Sequence, residues 1–215
     1  MVTPIKSLPL LPPKAPNLPI GPANYAQDYI NQLLNVLRLY FNQLDNMGAI
    51  LAGQGGAFLN NPYGAFSSFV DQTTTANTAT LMTLNTTDFA NGVSIDTSKI
   101  TVVNPGIYNL QFSVQVQNAN NAPHDIFIWL KQNGTDIVGS TGKVGLPARK
   151  NPGDPFHDIK GWNYFLSMNA GDYVEIYWSV TNADITIETY PASGTPTKPS
   201  TASVVATLSF VSALN

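Results

Sequence analysis

Pro105-Gly106-Ile107-Tyr108-Asn109-Leu110-Gln111-Phe112-Ser113-Val114-Gln115-Val116 decides the fold class. After the Pro-Gly pair, apolar and polar residues alternate without a break. Tyr108, Leu110, Phe112, Val114 and Val116 share one side, and Asn109, Gln111, Ser113 and Gln115 the other. Successive side chains of a strand point to opposite faces, so the spacing predicts a strand with one face in a core. The other side is polar yet uncharged, which is unusual for a face left in plain water.

Outward from this stretch, short strands and turns account for everything after Gly64. The patterns predict strands at 66–71, 79–84, 98–103, 107–116, 125–131, 136–140, 161–167, 173–180, 184–190 and 202–211. Asn133-Gly134 and Asn169-Ala170-Gly171-Asp172 supply turn chemistry between them. Roughly ten strands without an intervening helix read as a β-sandwich over 66–215. Two strands carry large side chains on both faces. Ile126, Ile128 and Leu130 fill a core while Phe127 and Trp129 face away; Val174, Ile176, Trp178 and Val180 do the same against Tyr173 and Tyr177. Aromatics on a second face need cover, so Phe127, Trp129, Tyr173 and Tyr177 are expected at an oligomer interface.

Upstream the pattern changes twice. Residues 22–47 read as a helix, with Pro22 suited to the first turn and Gly48 placed as a stop. Ala26, Ile30, Leu33, Leu37, Tyr40, Leu44 and Met47 recur alternately every four and three residues, a heptad seam for helices packing on one another. Ile30, Leu33, Leu37, Tyr40 and Leu44 are therefore assembly candidates. Leu34, Val36, Leu39 and Phe41 widen the face beyond a simple seam. Before the helix, residues 1–21 form an arm in which Pro4, Pro9, Pro12, Pro13, Pro16 and Pro19 oppose helix and sheet. Ile5, Leu8, Leu10, Leu11, Leu18 and Ile20 are its apolar pegs, expected to grip a partner surface. Residues 48–65 are a Gly/Asn-rich connector; Gly53-Gln54-Gly55-Gly56 lacks the preceding strand and the Lys-Ser/Thr of a phosphate loop.

Composition points the same way. Charged residues are 11% of the chain, against about a quarter in typical domains. Such a surface suits packing against protein more than life as a free monomer. The net charge of −3 offers no basic field for nucleic acid. Without cysteine there is no disulfide, thiol nucleophile or thiolate metal site. No secretion signal is expected at the start, and no run of about 18 apolar residues is present to span a membrane.

Little chemistry is visible. The histidines lie at His124-Asp125 and Asp154-Pro155-Phe156-His157-Asp158, without metal-ligand spacing. No Gly-x-Ser-x-Gly elbow occurs. Asp172-x-x-Glu175 reads as turn and strand chemistry. No enzyme activity, cofactor or metal is expected. Residues 141–160 read as a long irregular loop carrying Lys143, Arg149, Lys150 and Lys160, with His157 between them, a possible contact for an acidic partner or a polysaccharide. Trp162 and Trp178 are the aromatics expected beside it in a glycan-binding reading.

"GIYNLQFSVQV" (106–116), "IWLKQNGTDI" (128–137), "YFLSMNAGDYVEIYW" (164–178) and "SVVATLSFV" (203–211) together resemble the jelly-roll domain of complement globular heads and tumour-necrosis-factor cytokines. The markers are Gly-x-Tyr opening a long strand, a Leu-x-x-Asn-Gly hairpin, Gly-Asp before a core strand, and an apolar closing strand. The resemblance implies ten antiparallel strands in a trimeric head. Calcium ligands known in some members find no matching positions here. The arm with "YINQLLNVLRLYFNQLDNMG" and "NPYGAFSSFVDQTTTAN" is similar to virion structural proteins of tailed phages. That implies a homotrimeric, non-enzymatic virion protein. It would sit as a capsid decoration held by its arm and helix, or alternatively as a short tail fibre, spike or tail accessory, or a receptor-binding head. Its partners would be its own copies, other virion proteins such as the major capsid protein, and a host surface glycan.

Overall fold

The computed structural model describes residues 14–20, 24–52 and 61–214, side chains at 49–52 excepted. The chain divides into two compact units, residues 1–60 and 61–215.

In the first unit, residues 14–20 run without regular structure, and one helix follows, α1 (Gln27–Ala52). It starts later than Pro22 and runs through Gly48 instead of stopping there. The amide of Ile30 donates to the carbonyl of Ala26 at 3.3 Å, which sets the first turn. Beyond Gly48 lie Ala49, Ile50, Leu51 and Ala52, whose helix preference and neighbours outweigh the roughly 1 kcal/mol that a mid-helix glycine costs. Its 26 residues make it roughly 39 Å long at about 1.5 Å per residue. Ala26, Ile30, Leu33, Leu37, Tyr40, Leu44 and Met47 are all half-buried, so the spacing does define one face. Pro16 and Pro19 are half-buried too, and the hydroxyl of Tyr29 donates to the carbonyl of Pro19 at 3.3 Å. No described side chain of this unit is fully buried, and Leu34, Leu39 and Phe41 are exposed. The pegs Ile5, Leu8, Leu10 and Leu11, and Gly53 to Gly56 of the connector, lie outside the described residues.

The second unit is a β-sandwich of two antiparallel sheets. In chain order the strands are β1 (Tyr63–Ser68), β2 (Thr80–Leu81), β3 (Thr86–Asn91), β4 (Val93–Asp96), β5 (Lys99–Val102), β6 (Gly106–Asn118), β7 (His124–Gln132), β8 (Thr135–Asp136), β9 (Gly142–Leu146), β10 (Phe156–Met168), β11 (Tyr173–Val180), β12 (Ile185–Ile187), β13 (Ser193–Gly194), β14 (Thr197–Lys198) and β15 (Val204–Ser212). The first sheet runs β3-β1-β15-β6-β10, and β12 continues the track of β15 along β6. The second runs β4-β5-β11-β7-β8, with β2 beside β11 and β9 beside β7. Strands β13 and β14 form a small ribbon apart.

β6 is the spine of the first sheet. It pairs with β10 over its full length, from Gly106↔Met168 to Asn118↔Phe156. Its alternation is the cause: Tyr108, Leu110, Phe112, Val114 and Val116 are all buried. They meet Ile126, Ile128 and Leu130 of β7 and Val174, Ile176, Trp178 and Val180 of β11 in one cluster. Burying such side chains contributes about 1.5–3 kcal/mol each before entropy is counted. The Gly-x-Tyr opening has a steric reason. A Cβ on Gly106 would collide with the ring of Phe210, and that ring meets Tyr108 edge-on with centroids 5.6 Å apart. The Tyr108 hydroxyl donates to the carbonyl of Asn104 at 2.8 Å. Burial raises its pKa. Asn133 (φ 51°) and Gly134 (φ 77°) both take left-handed conformations, so the hairpin between β7 and β8 is the tight type that Asn-Gly favours.

The strand expectations need four corrections. Of residues 136–140 only Asp136 is strand, the end of β8; 137–140 form a turn, with Val138 exposed and Gly139 at φ 83°. Strands β3 and β4 occupy 86–96, where no strand is expected; TTDFANGVSID is too polar to show a period. The stretch 141–160 is not one irregular loop: it holds β9 and the first five residues of β10, joined by 147–155. β10 begins at Phe156, not 161, because its early residues pair with the end of β6. The short and accessory strands bring the described segments to fifteen where about ten are expected.

Candidate functional site

Two surfaces stand out, one on each outer face of the sandwich. On the first sheet, β1, β6 and β15 contain no Lys, Arg, Asp or Glu at all. Register places Asn109 beside Phe165 and Ser209, Gln111 beside Asn163 and Thr207, and Ser113 beside Gly161 and Val205. Gln115 lies beside Ile159. The apolar members stand out of this polar ground: Ile159 is 60% exposed, Phe165 57%, Phe89 63% and Val205 40%. Tyr63 and Phe89 sit with ring centroids 6.1 Å apart at the β1–β3 end. Gln111, Ser113, Val205 and Thr207 line a shallow hollow at the centre. Charge is met only at the margins. Asp88 accepts from the Ser67 hydroxyl at 3.0 Å on one edge. At the far end of β6, Glu188 accepts from Gln117 at 2.8 Å, and His157 Nδ1 is 2.9 Å from the Tyr190 hydroxyl. Burial first, then the carboxylate of Asp71, raise the Glu188 pKa, while the Thr186 hydroxyl opposes the shift. Burial, followed by Glu188 and Asp71, also raises the Tyr190 pKa.

The second sheet's outer face is built differently. Phe127, Trp129, Tyr173 and Tyr177 lie there, half-buried, as their parity requires. Each of three rings carries a lysine of the same chain. The ammonium of Lys131 lies 4.4 Å from the centroid of Tyr177, Lys99 4.6 Å from Tyr173, and Lys143 5.7 Å from Phe127. The fourth ring, Trp129, neighbours Tyr177 with centroids 5.9 Å apart and planes tilted by 35°. Its Nε1–H donates to Asp136 at 2.7 Å. Lys131 also reaches Asp136 at 3.5 Å, and Lys143 reaches Asp125 at 3.0 Å. The aromatics that sequence assigns to an interface thus already have cover from lysine stems and charges.

The loop candidates do not converge. Lys143 is on the second sheet's outer face, whereas His157 is at the end of the first sheet's face. Lys160 pairs with Asp158 at 2.5 Å on the opposite side of β10 from His157, and holds the Asp158 pKa down. Arg149 donates to the carbonyl of Ala119 at 3.3 Å. Lys150 has no side-chain partner among the described residues. Neither tryptophan of the glycan reading is exposed. Trp178 is fully buried in the core, and Trp162 is half-buried with its ring 4.7 Å from Phe112.

Asp172 is turn chemistry, as expected. It accepts from the amide of Asn169 at 2.8 Å and from Asn133 at 2.8 Å, which lower its pKa. Glu175 is different and was missed. As a residue it is only 5% exposed, but its carboxylate oxygens are not among the buried side-chain atoms left without a partner. A strand pattern cannot reveal this, because a lone Glu between two tyrosines reads as an ordinary outward residue. Among the described residues no three His, Asp or Glu side chains group as metal ligands, and no helix is long and apolar enough to cross a membrane. Compared with protein-family models and with curated proteins, the chain matches none.

Proposed function

We propose that this chain is a non-enzymatic structural protein that assembles as a homotrimer, with the sandwich as a jelly-roll head and α1 as a short neck. The observation that carries the reading is the outer face of the first sheet: free of charge on β1, β6 and β15, with Ile159, Phe165, Phe89 and Val205 standing out of it. A charged group desolvated without a partner is costly, so a face meant to be covered by another copy is built from uncharged groups. Apolar side chains among them supply the driving force. The strand order supports a jelly roll, since the chain alternates between sheets at β5–β6, β6–β7, β9–β10 and β10–β11. The lysine-capped rings of the second sheet need no second chain. The assembly surface of the head is therefore better placed on the first sheet than on Phe127, Trp129, Tyr173 and Tyr177. The seam of Ile30, Leu33, Leu37, Tyr40 and Leu44, half-buried in one copy, gives α1 the same role.

Within that reading we place the protein on a phage particle as a capsid decoration, bound through its arm and helix with the head outward. The likeness of the arm and of residues 29–48 and 61–77 to virion proteins, and the low charge of the whole chain, support this. A short tail fibre or spike would use the same parts. Light scattering of the purified chain tests assembly: a trimer has about three times the mass of the 23.1 kDa chain, and a monomer at micromolar concentration sinks the proposal. Antibody labelling of intact particles tests the location, and label on the tail alone would overturn the capsid placement.

A further inference from the structure

β10 is the last strand of its sheet, paired with β6 on one side and with no strand on the other among the described residues. Which of its backbone groups face the open side follows from the ladder. The amide of Gln115 donates to the carbonyl of Ser203 at 2.9 Å, and the carbonyl of Gln115 accepts from the amide of Glu188 at 2.9 Å. Odd-numbered residues of β6 therefore turn their backbone to β15 and β12, and even-numbered ones turn it to β10. The register pairs even with even, Phe112 with Trp162 and Val114 with Lys160. The odd-numbered residues of β10 thus present amide and carbonyl to the open edge. Two side chains cap that edge. The amide of Ile159 donates to Asp158 Oδ1 at 2.8 Å, and the carbonyl of Ser167 accepts from Gln132 Nε2 at 2.9 Å. Between the caps, Gly161, Asn163 and Phe165 are exposed, and their backbone has no partner on that side among the described residues. Long edges are normally blunted by lysine, proline or a bulge. Residues 161–168 hold no charged residue and no proline, and the ladder to β6 runs without a shift.

We propose that this edge pairs with the same edge of a second copy, antiparallel about a two-fold axis at Asn163. The caps choose the register. Ile159 and Ser167 stand equally far from Asn163, so in a pair centred there they face each other across the axis. The groups already taken, the Ile159 amide and the Ser167 carbonyl, are the ones that would have bonded to each other, and pairing ends cleanly at both caps. Inside them Asn163 meets Asn163 and Gly161 meets Phe165, donor to acceptor throughout. A Cβ on Gly161 would collide with the carbonyl of Phe112, so the chain itself requires the glycine. The bare backbone it leaves on the outer face is where the Phe165 ring of the second copy falls. No like charges meet: Lys160 falls opposite Leu166, and Asp158 opposite Met168. The contact lies at the margin of the face proposed for the trimer and joins heads that do not share a trimer. So short a pairing buries far less than a stable interface needs, so it is weak and acts where copies are crowded side by side.

Hydrogen exchange of the full-length chain, read amide by amide at about 10 μM and about 1 mM, brackets such a contact. The amides of Gly161, Asn163 and Phe165 should exchange severalfold more slowly at the higher concentration, with Trp162 and Tyr164 slow at both. Asn163→Pro removes the central donor without touching the ladder to β6. It should abolish the slowing at Gly161 and Phe165 while melting close to the parent. Should it unfold the head, Asn163→Lys carries the same test by setting like charges across the axis. The chain has no cysteine, so Asn163→Cys offers a single thiol. Its copies should oxidise to a disulfide dimer roughly tenfold faster than those of Val138→Cys, in the exposed turn after β8. Slow exchange of the three amides already at the lower concentration overturns the proposal, because the chain's own residues then cover the edge. Equally fast exchange at both concentrations overturns it too. So does an Asn163→Cys dimer that is lost when Thr207→Lys breaks the trimer, since the proximity then belongs to the trimer.

Discussion

The two outer faces of the sandwich show two ways to keep large side chains on a sheet surface. The first sheet surrounds Ile159, Phe165, Phe89 and Val205 with uncharged polar groups and leaves them bare. The second sheet lays lysines over Tyr173, Tyr177 and Phe127 and ties those of Tyr177 and Phe127 to aspartates. Counting aromatics alone would select the second face as the interface. Counting charges selects the first. The comparison teaches that an exposed aromatic is evidence of a missing partner only after its neighbours within the chain have been examined.

The sharpest way to break this comparison is to put one charge on each face. Thr207→Lys, beside the central hollow of the first sheet, should cost the assembly at least 100-fold in affinity, on the order of 3 kcal/mol. Ser179→Lys on the second face should leave the mass by light scattering unchanged. If both variants behave alike, the faces are not distinct. Next in size is the helix. Leu37→Asp should lower the assembly midpoint by about tenfold, because the seam then buries a carboxylate. If sedimentation shows an unaltered assembly, α1 is no part of it. Removing the caps with Lys131→Met and Lys143→Met should cost only about 0.5–1 kcal/mol each in urea unfolding, but should increase binding of a hydrophobic dye to the head. The smallest effect is set by pH. Glu188 has a raised pKa, so the folded chain holds that proton more tightly than the unfolded chain. Its contribution is full below the ordinary glutamate range and is lost as pH rises through the raised value. Asp158 and Asp172 have lowered values, and their contribution is lost as pH falls below the ordinary aspartate range. Glu188→Gln should remove only the fall in melting temperature that begins as pH rises above the ordinary glutamate range.

How much of this was legible beforehand follows from which interactions are local. Period two sufficed for β6, β7 and β11, where the apolar residues of one parity are all in the core. Asn133-Gly134 was legible because left-handed conformations at successive residues select those residue types. Strands β3, β4 and β9 were not legible. Each is short, and its pairing with β1, β5 or β7 comes from the partner, not from its own pattern. The helix face was readable to the residue, but its ends were not, because Gly48 is a stop only when poor helix formers follow it. The lysine caps were out of reach for another reason. Lys143 and Phe127 are brought together by β9 pairing with β7, and nothing in either segment announces the other.

The placement of β15 has a consequence for how the protein is made. This strand lies between β1 and β6, paired with both, although it is encoded well over 100 residues after β1. Until it emerges from the ribosome, two long strands expose unpaired edges and the core of the first sheet has no floor. The head must therefore fold late and nearly all at once, as expected for strand pairings so remote in sequence. A ribosome that stalls before Val204 would release a chain with two open edges, a species fit for aggregation or proteolysis.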